Sequence, residues 1–190
     1  RLTMEYGRSE REVYTLVSLS EQFYKECCHL ELFEYNEADL ALLKNAAKVY
    51  AIGEYIELDS SNQHTFYLLA NQSIAGRGHV ERVKLALLAS YKNKDYFRRF
   101  SSPFEAWFSE EELKKLRDFG ALLKFIYALN ISKRNVVTKI AVEYIDDAVQ
   151  VKISTTERAM GEGYQVEGQK RRLERVCKRE VIIRFTEERW

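Results

Sequence analysis

After Asn135 the spacing of apolar residues changes from helical to alternating, and this switch constrains the fold of the chain more than any other feature. From Val136 to Ile145 apolar and polar residues alternate, Asp146-Asp147 form a turn, and Val149 to Ser154 run back as a partner strand. A basic helix from about Tyr164 to Arg179 is expected next, with a closing strand at Val181-Ile182-Ile183-Arg184-Phe185. Before the switch, one Pro and eight Gly among 190 residues leave few breakers, so long helices are expected. The expectation is an α+β chain: a mainly α-helical part over residues 1–134, then a small β-β-α-β domain over residues 135–190.

Local signals divide the helical part. Ser9, with Glu12 three residues later, starts a helix expected to reach residue 33 on Val13, Leu16, Val17, Phe23 and Tyr24. Asn36 or Glu37 opens a second through Leu40, Leu43, Ala47 and Tyr50 to Gly53. The loop Asp59-Ser60-Ser61-Asn62 precedes a helix bearing His64, Tyr67 and Leu68, which Gly76 and Gly78 end. Residues 79–91 return to helical spacing, and Ser101-Ser102-Pro103 makes a break. Ser109 followed by Glu110, Glu111 and Glu112 puts acidic groups where a helix dipole favours them, opening a helix to Asn130.

A hydrophobic fraction of 46% and an aromatic fraction of 13% belong to a folded chain rather than a disordered one. No apolar run reaches spanning length and no leader opens the chain, so a cytoplasmic protein with no membrane partner is expected. Three cysteines, two of them adjacent (Cys27 and Cys28), make no disulfide framework and fit a reducing compartment. Their acidic neighbours Glu26, Glu31 and Glu34 would raise a thiol pKa, which argues against a nucleophile there. Arg1 in place of Met reads as the start of a fragment.

The net charge of +1 conceals an asymmetry: residues 1–60 carry −6 and residues 61–190 carry +7. Two basic clusters stand out in the second part. One is Lys92, Lys94, Arg98 and Arg99, interleaved with Tyr91, Tyr96, Phe97 and Phe100. The other is Lys170, Arg171, Arg172, Arg175 and Lys178, where Arg171, Arg175 and Lys178 share a face on one continuous helix while Leu173, Val176 and Cys177 turn to the sheet. Either face can be plain solvated surface. Either can also hold successive phosphates of a linear polyanion through charge-assisted contacts. Basic-plus-aromatic composition also serves single-stranded nucleic acids, but no RNA-binding signature accompanies it, so nucleic acid is disfavoured as a partner.

The run Leu43-Lys44-Asn45-Ala46-Ala47-Lys48-Val49-Tyr50-Ala51-Ile52-Gly53 resembles the helix that carries A-A-x-L-H-D-I-G in HD-domain hydrolases. Gln63-His64-Thr65-Phe66-Tyr67-Leu68-Leu69, Leu85 to Lys92, and Leu122 to Asn130 follow in the same order, behind a lead-in at Arg1-Leu2 and Tyr6. Together they resemble the C-terminal part of the exopolyphosphatase and guanosine pentaphosphate phosphohydrolase (Ppx/GppA) family. The resemblance implies an HD-like helical domain followed by a small α/β domain, behind a catalytic portion of actin-like ATPase fold.

By the same resemblance, the family's metal-ligand positions fall on Glu12, Tyr50, Ala51 and Asn130, with His64 and Lys92 as additional ones. Tyr50 and Ala51 stand where that run has His and Asp, and neither a phenol nor a methyl replaces an imidazole and a carboxylate around a divalent cation. No catalytic residue and no metal ligand is expected in this chain, and His64 is expected to be structural.

The resemblance further implies that the parent protein hydrolyses phosphoanhydride bonds, with a divalent metal such as magnesium as its cofactor. This chain would hold polyphosphate or guanosine pentaphosphate, form a homodimer, or both, without catalysing hydrolysis by itself. The alternatives are an HD-type metal-dependent phosphohydrolase with an unorthodox ligand set, and a purely structural dimerisation scaffold.

Overall fold

The computed structural model describes residues 8–52, 61–71 and 78–188. The expectations placed on Arg1, Leu2, Tyr6, Gly53, Asp59-Ser60 and Gly76 lie outside them.

Helix α1 spans Glu10–His29, and the Ser9 hydroxyl accepts the Glu12 N–H at 3.1 Å. It stops four residues short of the expected residue 33. Glu31 takes a left-handed φ of 61°, and the Leu32 N–H returns to the Cys27 carbonyl. Helix α2, Glu37–Val49, starts where Asn36 Oδ1 accepts the Asp39 N–H at 3.0 Å. Helix α3 covers Ser61–Asn71 and α4 covers His79–Ala89. From Leu85 to Ala89 every residue of α4 is buried, so this helix is enclosed rather than amphipathic. Helix α5, Lys94–Ser101, runs into a 3₁₀ segment, Ser102–Trp107, where Pro103 closes off further α-helix. The long α6, Glu110–Ala128, opens on a full capping box between Ser109 and Glu112.

Strand β1 (Val137–Ile145) and strand β2 (Ala148–Thr155) form the expected antiparallel hairpin, turning at Asp146 with φ 53°. Strand β3 (Val181–Glu187) lies parallel to β2, giving the order β1-β2-β3. A parallel pair needs a crossover. Here it is two short helices, α7 (Met160–Glu167) and α8 (Lys170–Cys177), where the sequence suggests one. The chain bends at Gly168-Gln169, and Lys178, at φ 56°, ends α8 in a left-handed turn. Lys178 therefore does not share a helical face with Arg171 and Arg175.

One hydrophobic cluster joins the helices to the sheet. It runs from Leu16, Leu19 and Phe23 through Leu88, Phe119 and Phe125 to Val149, Ile153 and Leu173. The outer edge of β1 is covered by α1. Gln22 Oε1 accepts the Ile140 N–H at 3.0 Å and Glu26 Oε1 accepts the Val142 N–H at 2.8 Å. Four residues of helix rise about 6 Å and two residues of strand about 6.8 Å, so the two spacings match and the strand edge is satisfied by side chains. Among the described residues no helix is long and apolar enough to cross a membrane.

Candidate functional site

Where the resemblance puts a metal, the structure puts a guanidinium. Arg8, only 1% exposed, donates from Nη1 to the Lys48 carbonyl at 2.9 Å and from Nη2 to the Tyr50 carbonyl at 2.8 Å. Its Nε lies 3.4 Å from Glu12 Oε2, and its charge sits 5.8 Å from the centre of the Tyr127 ring. The Tyr50 hydroxyl donates to the Tyr91 carbonyl at 2.5 Å. Ala51 takes φ 55° and its N–H donates to the Ala89 carbonyl at 2.9 Å. Asn130 accepts the Asn135 N–H on Oδ1 at 3.0 Å, which organises the loop into β1.

These residues do not fit a divalent metal: the one carboxylate among them is engaged by a fixed cation, and the remaining groups are a phenol, a methyl and an amide already in use. Among the described residues no three or more His, Cys, Asp or Glu side chains come together as a metal would need. His64 is half-buried on α3. Nor do the thiols offer a nucleophile. Burial pushes Cys27 and Cys28 up, and Cys177 up to about 11.

A different site is assembled from cations. Helix α8 packs across α6 through Leu173 and Val176, both buried, which turns Arg172 and Arg175, three residues apart, toward the start of α5. A small cavity of about 50 Å³ opens there between Tyr91, Lys94, Arg117, Asp118, Arg172 and Arg175. Lys124, which does not line the cavity, donates from Nζ to the Lys92 carbonyl at 2.6 Å. Arg172 is held by Gln169 Oε1 at 2.8 Å.

Burial, then Arg172 and Lys92, push the Lys124 ammonium down to about 8. Burial raises the Asp118 carboxyl, and its carboxylate already lies 3.0 Å from Lys114 Nζ. Among the described residues Lys92, Lys94, Arg117, Lys124, Arg172 and Arg175 make no ion pair.

The structure thus brings members of both sequence clusters to one cleft: Lys94 from the first, Arg172 and Arg175 from the second. It leaves others apart. Arg171 is exposed and Lys170 half-buried, and neither lines the cavity. Lys178 borders an adjoining groove, which shares Asp118 and Val176 with the cavity and in which Lys114 and Lys115 stand among Glu34, Asp39 and Glu111. Arg98 is exposed, and Arg99 and Lys92 lie 4.9 and 5.0 Å from the Tyr96 ring centre. Tyr91, Phe97 and Phe100 are buried in the core, so they give no open surface for stacking bases.

Sequence reading passed over Arg117 and Lys124, because α6 drew attention for its apolar positions. Their separation of seven residues puts them on one helix face, the signal that could have found them.

Residues 1–167 match the family described as Ppx/GppA phosphatase, domain III. The chain belongs to the Ppx/GppA phosphatase family. None of the curated proteins compared matches it.

Proposed function

We propose that this chain is an accessory, non-catalytic region of a Ppx/GppA-type phosphatase, and that the cleft between α5, α6 and α8 holds the phosphoryl chain of polyphosphate or of guanosine pentaphosphate. Hydrolysis, and any magnesium it uses, belong in this reading to another portion of a cytoplasmic protein. The supporting observation is that four cations, Lys94, Arg117, Arg172 and Arg175, line one cavity with a single carboxylate, Asp118, which is itself paired to Lys114 at 3.0 Å. Like charges gathered around one cavity repel, and a phosphoryl chain supplies the successive negative charges that would offset them. A homodimer is part of the same proposal, as a way to extend the basic surface across two copies.

The test is titration of linear polyphosphate onto the 190-residue chain, with chelator present, at low and at moderate salt. Binding that weakens with salt is expected, with at least about a tenfold loss in the Arg172→Ala/Arg175→Ala variant and little change in Arg171→Ala. No binding at low salt, or binding indifferent to the double substitution, would sink the proposal. Sedimentation of the same samples measures the dimer directly.

A further inference from the structure

We infer that the cavity between α5, α6 and α8 is an end-recognition pocket: it takes the terminal phosphoryl group of its ligand and not one from the interior of a phosphoryl chain. The inference rests on the reading of the cleft given above and names the part of the ligand that the cleft selects.

Size comes first. The cavity measures about 50 Å³. One water takes roughly 10–15 Å³ of such space, so there is room for a few waters or for a single tetrahedral phosphoryl group. The cavity is also blind. Tyr91, Ala121 and Val176 line it and are buried in the core, so no path leads further inward.

Charge then separates its two sides. Lys94 on α5, Arg117 on α6, and Arg172 and Arg175 on α8 surround the cavity, and Asp118 is the one carboxylate among the described residues that line it. Asp118 and Val176 also line the adjoining groove. There the balance is reversed: five carboxylates, those of Glu31, Glu34, Asp39, Glu111 and Asp118, stand against three lysines. A phosphoryl chain carries negative charge on every unit. Passing through the cavity into the groove would press it against those carboxylates, Asp118 first. A chain that ends in the cavity avoids them, and its remaining units leave over the α4–α5 turn, where Lys92 is exposed.

The terminal group is also the better chemical match. At neutral pH it carries close to two negative charges on three unshared oxygens, whereas an interior phosphoryl has about one charge on two. Guanidinium groups from α6 and α8 can take such oxygens in pairs. Arg172 is held ready for this by Gln169 Oε1 at 2.8 Å. Linear polyphosphate and guanosine pentaphosphate both end in such a group, so one pocket serves either.

The measurement is calorimetric titration of the 190-residue chain with long linear polyphosphate whose ends are either free or capped as phosphoramidates of a small neutral amine. On a long chain, capping removes only a small fraction of the total charge, so a cleft that reads charge alone would not respond. Capping is expected to weaken binding at least about tenfold, and the Arg172→Ala/Arg175→Ala variant should no longer distinguish the two ligands. Free-ended chains, short or long, should each bind no more than two copies of the protein, with one affinity per end. Equal affinity for capped and free chains, a number of bound copies that grows with chain length, or a capping effect that survives in the double variant would overturn the inference while leaving phosphoryl binding intact. Failure of the free-ended chain to bind would overturn both.

Discussion

Arg8 and Glu12 stand one helical turn apart and meet, guanidinium to carboxylate, at 3.4 Å, with side chains only 0% and 6% exposed. The same guanidinium ties down the carbonyls of Lys48 and Tyr50. A fixed organic cation thus links the start of α1 to the end of α2, where the HD resemblance puts a metal ion. It can hold the helices together as a metal does, but it cannot activate water.

Removing that cation strands a buried carboxylate. Arg8→Met is expected to lower stability by about 3–5 kcal/mol, read as a drop in the urea midpoint. The double variant Arg8→Met/Glu12→Leu should recover part of the loss, since apolar replacements of a buried pair are often tolerated. If the double variant is no better than the single one, the carbonyl contacts rather than the ion pair carry the effect.

The clasp of α1 on the sheet edge is separable from this. Glu26→Ala takes away the acceptor of the Val142 N–H, now held at 2.8 Å, and should cost about 1 kcal/mol. The diagnostic readout is amide exchange: Val142 should speed up more than Val149 on the inner strand. Equal effects at both amides would mean that the bond does not guard the edge.

Gly120 lies within α6, where alanine would ordinarily add about 1 kcal/mol of helix stability. A Cβ there would fall 2.4 Å from Tyr91 Cδ2 and 2.9 Å from its Cβ, so the ring must move. Gly120→Ala is therefore expected to destabilise by about 1–3 kcal/mol and to alter the near-ultraviolet dichroism of the aromatic core. Because Tyr91 lines the cationic cavity, polyphosphate affinity should fall with it. A net gain in stability would show that the α4–α5 turn yields easily.

Much of the fold was legible along the chain because its signals are local. Ser9, Asn36 and Ser109 satisfy N–H groups within three residues of themselves, and the hairpin follows from alternation around Asp146-Asp147. The end of α1 was not legible. Apolar spacing continues through Leu32 and Phe33, but the left-handed Glu31 turns the chain so that Phe33 meets Phe119 at 5.1 Å. The break at Gly168-Gln169 was missed for a like reason: Gly168 alone is a weak stop, and α8 takes its direction from seating Leu173 and Val176 against the core.

The site divides in the same way. That Lys92, Lys94, Arg172 and Arg175 are charged, and that Tyr50 and Ala51 cannot coordinate a cation, are properties of the residues themselves, and the sequence alone determined them. Which cations share a cleft depends on how α8 crosses α6, and only the tertiary structure decided it. The same packing brought Arg117 to that cleft and left Arg171 and Lys178 outside it. Periodicity states which residues share a face of one element. Burial of Leu173 and Val176 decides which faces meet, and with them which charges are brought close enough to shift one another's protons.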